Sequence, residues 1–94
     1  MKHKSRKQRE PPDMIIDMRS PVEFRDSTIP TAVNMNLRQL SSVYTTKDKT
    51  IAIAIFGDAD TTNAAVRYLH AYGFTNVTII SPYDLLLRPR KEVP

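Results

Sequence analysis

The sequence predicts an α/β domain, with a small, open, mostly parallel sheet flanked by helices on both faces. Three observations carry that expectation. Residues 51–56 read Ile-Ala-Ile-Ala-Ile-Phe, apolar at every position, as a central parallel strand covered on both faces does. Short β-branched runs alternate with segments of helical period along the chain. The helix starts carry capping residues, of which Ser20-Pro21-Val22-Glu23 is the clearest: Ser20 fits the N-cap, Pro21 the first helical position and Glu23 the third, a capping box.

The elements follow in order. Met14-Ile15-Ile16, leading into Asp17-Met18-Arg19, reads as a short buried strand. The helix opened by Ser20 is short, because Thr28-Ile29-Pro30 ends it. Residues 32–35 form a second strand candidate. Asn36 can cap a helix to about Tyr44, with Leu37, Leu40 and Tyr44 at helical spacing. The strand 51–56 leads into a tight loop, 57–62, and then a helix from about Thr61 or Thr62 to Tyr72. Ala65, Tyr68, Leu69 and Tyr72 share one face of that helix, and Gly73 is suited to end it. Residues 77–80 form a further strand. Ser81-Pro82-Tyr83-Asp84 repeats the cap logic and opens a last short helix through Leu87, which Pro89 stops.

Composition narrows the function. The chain has 94 residues, 40% of them hydrophobic, and no cysteine. It is one domain by length. Without cysteine there is no disulfide, no redox thiol, no Cys-ligated zinc and no cysteine nucleophile. No apolar run approaches the roughly 20 residues of a membrane helix, and no signal-like stretch follows the basic start, so the cytoplasm is the expected location. The net charge of +4 sits in residues 1–12, which hold five basic residues against Glu10. Residues 13–94 hold nine of each sign. The expected organisation is a flexible basic tail, 1–12, ahead of one domain, 13–94. A tail of this kind can touch nucleic acid or an anionic membrane weakly through residues 2–9, and it reads more simply as a solvated terminus.

Three segments together resemble the rhodanese-like (sulfurtransferase) family. Residues 14–24, Met-Ile-Ile-Asp-Met-Arg-Ser-Pro-Val-Glu-Phe, are similar to its opening L-I-D-V-R-x-x-x-E-F/Y segment. Residues 28–34, Thr-Ile-Pro-Thr-Ala-Val-Asn, are similar to its H-I-P-G-A-x-N segment, with Thr28 and Thr31 in place of His and Gly. Residues 51–80 resemble its strand, active loop, helix, G-F-x-N-V and strand. After Ile80 the usual Gly-Gly turn is replaced by Ser81-Pro82. The resemblance implies a rhodanese-like fold and a loop whose backbone N–H groups and helix dipole cradle an anion beside a catalytic cysteine.

The corresponding stretch here is Phe56, Gly57, Asp58, Ala59, Asp60, Thr61 and Thr62. Phe56 falls at the expected cysteine position, and a slip of one would put Ile55 or Gly57 there. No register offers a thiol, so no catalytic residue is assigned. Asp58 and Asp60 add negative charge where an anionic substrate would approach. Their spacing is weak as a metal motif, and Asp60 or Thr61 as an N-cap accounts for them more simply, so neither a metal nor another cofactor is expected. Arg19 is a candidate anion contact at the rim. The simpler reading is a structural network, with Asp17 accepting backbone N–H bonds and Arg19 paired with a carboxylate such as Glu23. His3 and His70 have no triad-like context.

The expected function is that of a catalytically inactive rhodanese-like domain acting as a binding or regulatory module, its partner another protein. One alternative is an accessory domain of a sulfurtransferase or phosphatase system whose thiol comes from a partner. The other is weak binding of nucleic acid or an anionic surface through the tail.

Overall fold

The computed structural model describes residues 11–81 and the backbone of 88–89. The basic tail apart from Pro11 and Pro12, and the helix expected through Leu87 apart from Ser81, lie outside the described residues. Strands β1 (Met14–Asp17), β3 (Val33–Asn34), β4 (Ile53–Phe56) and β5 (Val77–Ile79) form one sheet in the order β3-β1-β4-β5, and every pair is parallel. Helix α1 (Pro21–Asp26) follows β1. A 3-10 turn (Arg38–Leu40) and α2 (Ser41–Tyr44) follow β3, and α3 (Ala59–Ala71) joins β4 to β5. A separate antiparallel pair joins β2 (Ser27–Thr28) to β6 (Arg88–Pro89).

β4 is wholly buried between β1 and β5, as its uninterrupted apolar run predicts. Its first residues, Ile51 and Ala52, stay outside the strand. There Asp13 takes over the pairing: its carboxylate accepts from the Ala52 N–H at 2.8 Å and its own N–H donates to the Ala52 carbonyl. The chain moves from β1 outward to β3, then back across β1 to β4 and on to β5. Right-handed crossovers therefore put the β1–β3 connection on one face and α2 and α3 on the other. Burial agrees. Ile16, Ile53 and Ile55 join Leu40, Val43, Ala65, Leu69 and Phe74 under the helices. Ile15, Ala54 and Phe56 meet Ile29 and Ala32 on the opposite face.

The local signals explain the element ends. Ser20 Oγ accepts from the Glu23 N–H at 3.2 Å, and Glu23 Oε1 accepts from the Ser20 N–H at 3.2 Å, completing the expected capping box. Asn36 and Gln39 make the same reciprocal exchange at 2.9 and 2.8 Å, but the helix expected from Asn36 is split into the 3-10 turn and one turn of α2. Gly73, at φ 98°, ends α3: its N–H donates to the His70 carbonyl and that of Phe74 to the Leu69 carbonyl, a Schellman ending.

Candidate functional site

The order of strands reverses direction between β1 and β4, and in such sheets ligands bind at the carboxyl ends of the strands flanking that point. An open cleft of about 440 Å³ lies there, lined by Met18, Arg19, Ser20, Glu23, Gly57 and Asp58. It is built from two strand-to-helix junctions, and their last strand residues, Asp17 and Phe56, are register partners.

The first junction centres on Asp17, which is 0% exposed. Its Oδ1 accepts from the Arg19 N–H at 2.9 Å and from Arg19 Nε at 3.0 Å. Its Oδ2 accepts from Arg19 Nη2 at 2.9 Å and from the Thr28 hydroxyl at 2.8 Å. Arg19 Nη2 also donates to the Ser27 carbonyl. Asn34 Nδ2 donates to the carbonyls of Asp17 and Arg19 at 2.9 and 3.0 Å, tying β3 to the junction. The Asp17 bond, above all, raises the Arg19 pKa from its already high ordinary value, against the opposing effect of burial. The expected network is thus present with a different pairing. Arg19 takes Asp17 as its carboxylate, while Glu23 is turned back to cap its own helix, bonds Arg19 through its backbone carbonyl at 3.5 Å and acts on it with its charge as a smaller influence. Arg19 lines the cleft, and its guanidinium carbon lies 5.3 Å from the centroid of the Phe56 ring.

At the second junction the loop is shorter than the sequence suggests. Phe56 is the last residue of β4 and is 0% exposed; Gly57 and Asp58 alone separate it from α3. Gly57 adopts φ 154°, and a Cβ there would stand 3.2 Å from the Met18 Cβ, so the close approach of the two junctions requires glycine. Asp58 is the N-cap, which corrects the assignment to Asp60 or Thr61. Its Oδ1 accepts from the Thr61 N–H and its Oδ2 from the Thr61 hydroxyl, both at 3.2 Å. Ala59 begins the helix and Asp60 sits in its first turn, where a carboxylate suits the helix dipole. Thr62 is buried, its hydroxyl donating to the carbonyls of Asp58 and Ala59. That inward seat requires the helix to begin before Thr61.

The structure therefore brings Arg19, Gly57 and Asp58 to one cleft. It leaves Phe56 in the core and Ala59 to Thr62 in the helix. Sequence reasoning missed Thr28 and Asn34 as partners of the first junction. The available signal for Thr28 was its place in the second motif. Among the described residues, no group of three or more His, Cys, Asp or Glu is arranged to hold a metal ion, and no helix is long and apolar enough to cross a membrane.

The family model described as Rhodanese-like domain matches residues 2–81. Among solved structures, the chain is similar to that of the Alr3790 protein from Anabaena sp., at 27% identity and a TM-score of 0.65, covering 76% of this chain and 58% of that one. A Rhodanese_3-like domain of the same Anabaena protein gives 27% identity and a TM-score of 0.62, over 72% of this chain and 80% of that one. A rhodanese with anions from E. coli shares the fold at a TM-score of 0.58 and 23% identity, over 72% and 84%. No curated protein matches the chain.

Proposed function

The chain belongs to the rhodanese-like domain family, and from that premise we propose that it is a member without sulfur chemistry, a binding or regulatory module for another protein in the cytoplasm. The observation that supports this reading is the closure of the second junction by its own carboxylate. Sulfur transfer on this scaffold calls for a thiolate beside open backbone N–H groups at a helix N-terminus. Here the chain has no cysteine. The Thr61 N–H is taken by Asp58, and Asp60 adds a second negative charge in the same turn. An incoming thiosulfate or phosphate would have to displace an intramolecular carboxylate and approach another, which like-charge repulsion opposes. The residues that in a catalyst would serve the anion serve the helix instead.

A thiosulfate:cyanide sulfurtransferase assay on the full chain tests the reading. The expected rate is that of buffer, and turnover above it overturns the proposal. Titration with thiosulfate, followed through the amide signals of Gly57, Asp58 and Thr61, is expected to leave all three unmoved at millimolar concentrations. A saturable shift at these residues means the cradle still takes anions.

A further inference from the structure

The sheet ends on one side at β3, and that edge borders a groove on the helical face. Val33 is the register partner of Ile16, whose side chain lies in the core under α2 and α3. Val33 and, two residues on, Met35 therefore turn to that same face. Met35 packs against the core, and Val33 is left 45% exposed. Arg38, Gln39, Ser41 and Ser42, from the 3-10 turn and α2, line the groove with them, and its volume is about 540 Å³.

The strand beside this apolar floor has open backbone groups. The Met35 N–H donates to the Asp17 carbonyl at 3.1 Å, so Val33 and Met35 turn their backbone groups toward β1. By alternation, Asn34 turns its N–H and C=O away. β3 is an edge strand, and no strand among the described residues takes them.

Among the described residues, one charge lines the groove. Arg38 is exposed, and its guanidinium has neither an ion pair nor a hydrogen bond among those residues. Arg38 also lines a second cleft, with Met18, Asn36, Leu37 and Thr61, and no carboxylate is among the described residues lining either one. The potential at this wall is positive, and the complementary occupant is negative.

We propose that the groove takes an extended segment of another protein that carries an aspartate or glutamate. The proposal rests on the reading of this chain as a binding module and names the chemistry of its partner. The segment lies beside β3 and exchanges two backbone bonds with Asn34. One apolar side chain seats on Val33 and Met35. The side chain two residues along falls on the same face, and its carboxylate pairs with Arg38. The backbone bonds set the register, while the apolar seat and the charge select the segment.

Charge and position argue against the chain's own ends as the occupant. Residues 1–10 carry five basic residues against Glu10, the wrong sign for Arg38. Residues 82–87, which include Asp84, connect β5, at the opposite edge of the sheet, to β6, which pairs with β2. Beyond β6, Arg90 and Lys91 outweigh Glu92.

Titration of the full chain with three acetylated, amidated pentapeptides tests the proposal, followed through the amide signals of Val33, Asn34 and Arg38, with circular dichroism as the fold control. The peptide Thr-Val-Thr-Glu-Thr is expected to shift these signals saturably. It is expected to bind about threefold to fivefold more tightly than Thr-Val-Thr-Gln-Thr, on the scale of one exposed ion pair. Thr-Val-Thr-Lys-Thr is expected to bind most weakly. Arg38→Glu, at an exposed position, is expected to keep the fold and to reverse that order, so that the lysine peptide binds best. A glutamate peptide that gives no saturable shift, equal affinity for all three peptides, or an order that survives Arg38→Glu each overturns the proposal and leaves the module reading standing. Turnover in the sulfurtransferase assay overturns that reading by a separate measurement.

Discussion

The two strand-to-helix junctions at the head of the sheet start as near equivalents and end as opposites. β1 and β4 are parallel neighbours, and their last residues, Asp17 and Phe56, face each other in register. Each junction enters its helix through an N-cap in extended backbone, Ser20 at ψ 157° and Asp58 at ψ 155°. At the first junction the buried carboxylate is neutralised by Arg19 and bound by Thr28, and the cap is an uncharged serine reciprocated by Glu23. At the second the strand ends in an aromatic ring, and the charge has moved onto the cap itself. The scaffold function of the rim is concentrated in β1 and its turn. The turn after β4 keeps only what a helix start needs.

The sharpest way to break the first junction is Asp17→Ala. It leaves Arg19 without its ion-pair partner and Thr28 without its acceptor, in a region where Asp17 itself is fully buried. Removing one member of a buried pair costs about 3–5 kcal/mol. In a domain this small that is a large share of the stability, so denaturant titration should show a steep fall in the unfolding midpoint. A loss below about 1 kcal/mol would mean that the network is incidental to folding.

The corresponding blow at the second junction is Phe56→Cys, which supplies the missing thiol. Phe56 fills the core against Ile15, Ile29 and Ala54, and truncating it is expected to cost on the order of 3 kcal/mol. The thiol would be seated where Phe56 is now fully enclosed, and burial in apolar surroundings raises a thiol's pKa. No persulfide is expected after incubation with thiosulfate, as read by cyanolysis. Persulfide formation would show that the junction retains an active geometry that the Phe56 ring only obscures.

What the sequence made legible follows from how local each signal is. The Ser20–Glu23 box, the Gly73 stop and the strand containing Ile53–Phe56 each rest on residues within a few positions of one another. All are present in the structure. The start of α3 was not legible, because Asp58, Asp60, Thr61 and Thr62 are all good capping residues. The choice among them is made by tertiary burial of Thr62 and by the close approach of Gly57 to Met18. The partner of Arg19 was equally hidden. Carboxylates stand two residues before it and four after it, and only the fold turns Asp17 inward and leaves Glu23 outside. Thr28 and Asn34 reach the Asp17 junction from 11 and 17 residues away, beyond any local pattern.

The two caps offer a gentler comparison. Ser20→Ala and Asp58→Ala each remove one side-chain cap, and each is expected to cost about 1 kcal/mol. Their anion responses should differ. Asp58→Ser keeps a capping oxygen while removing the charge, so sulfate is expected to stabilise that variant more than the wild type in thermal melts. Ser20→Ala should show no such gain. An equal sulfate response in all the proteins would deny that the Asp58 charge guards the helix start.

The smallest effect concerns the turn that delivers β3, and with it Asn34, to the first junction. The Ala32 N–H donates to the Ile29 carbonyl at 2.9 Å, Pro30 occupies the second position and Thr31 the third, at φ 72°. A turn with proline second and a positive φ third is a type II turn, which favours glycine at the third place. A β-branched residue in the left-handed region costs roughly 1–2 kcal/mol. Glycine would remove that strain but enlarge the freedom of the unfolded chain by about 0.5–1 kcal/mol. Thr31→Gly should therefore raise stability by about 0.5 kcal/mol, a rise of a few degrees in melting temperature. Because this turn sets the register of Val33 and Asn34 against Ile16 and Asp17, the gain should vanish in an Asn34→Ala background if strain and junction are coupled. It should persist unchanged if the turn relaxes independently.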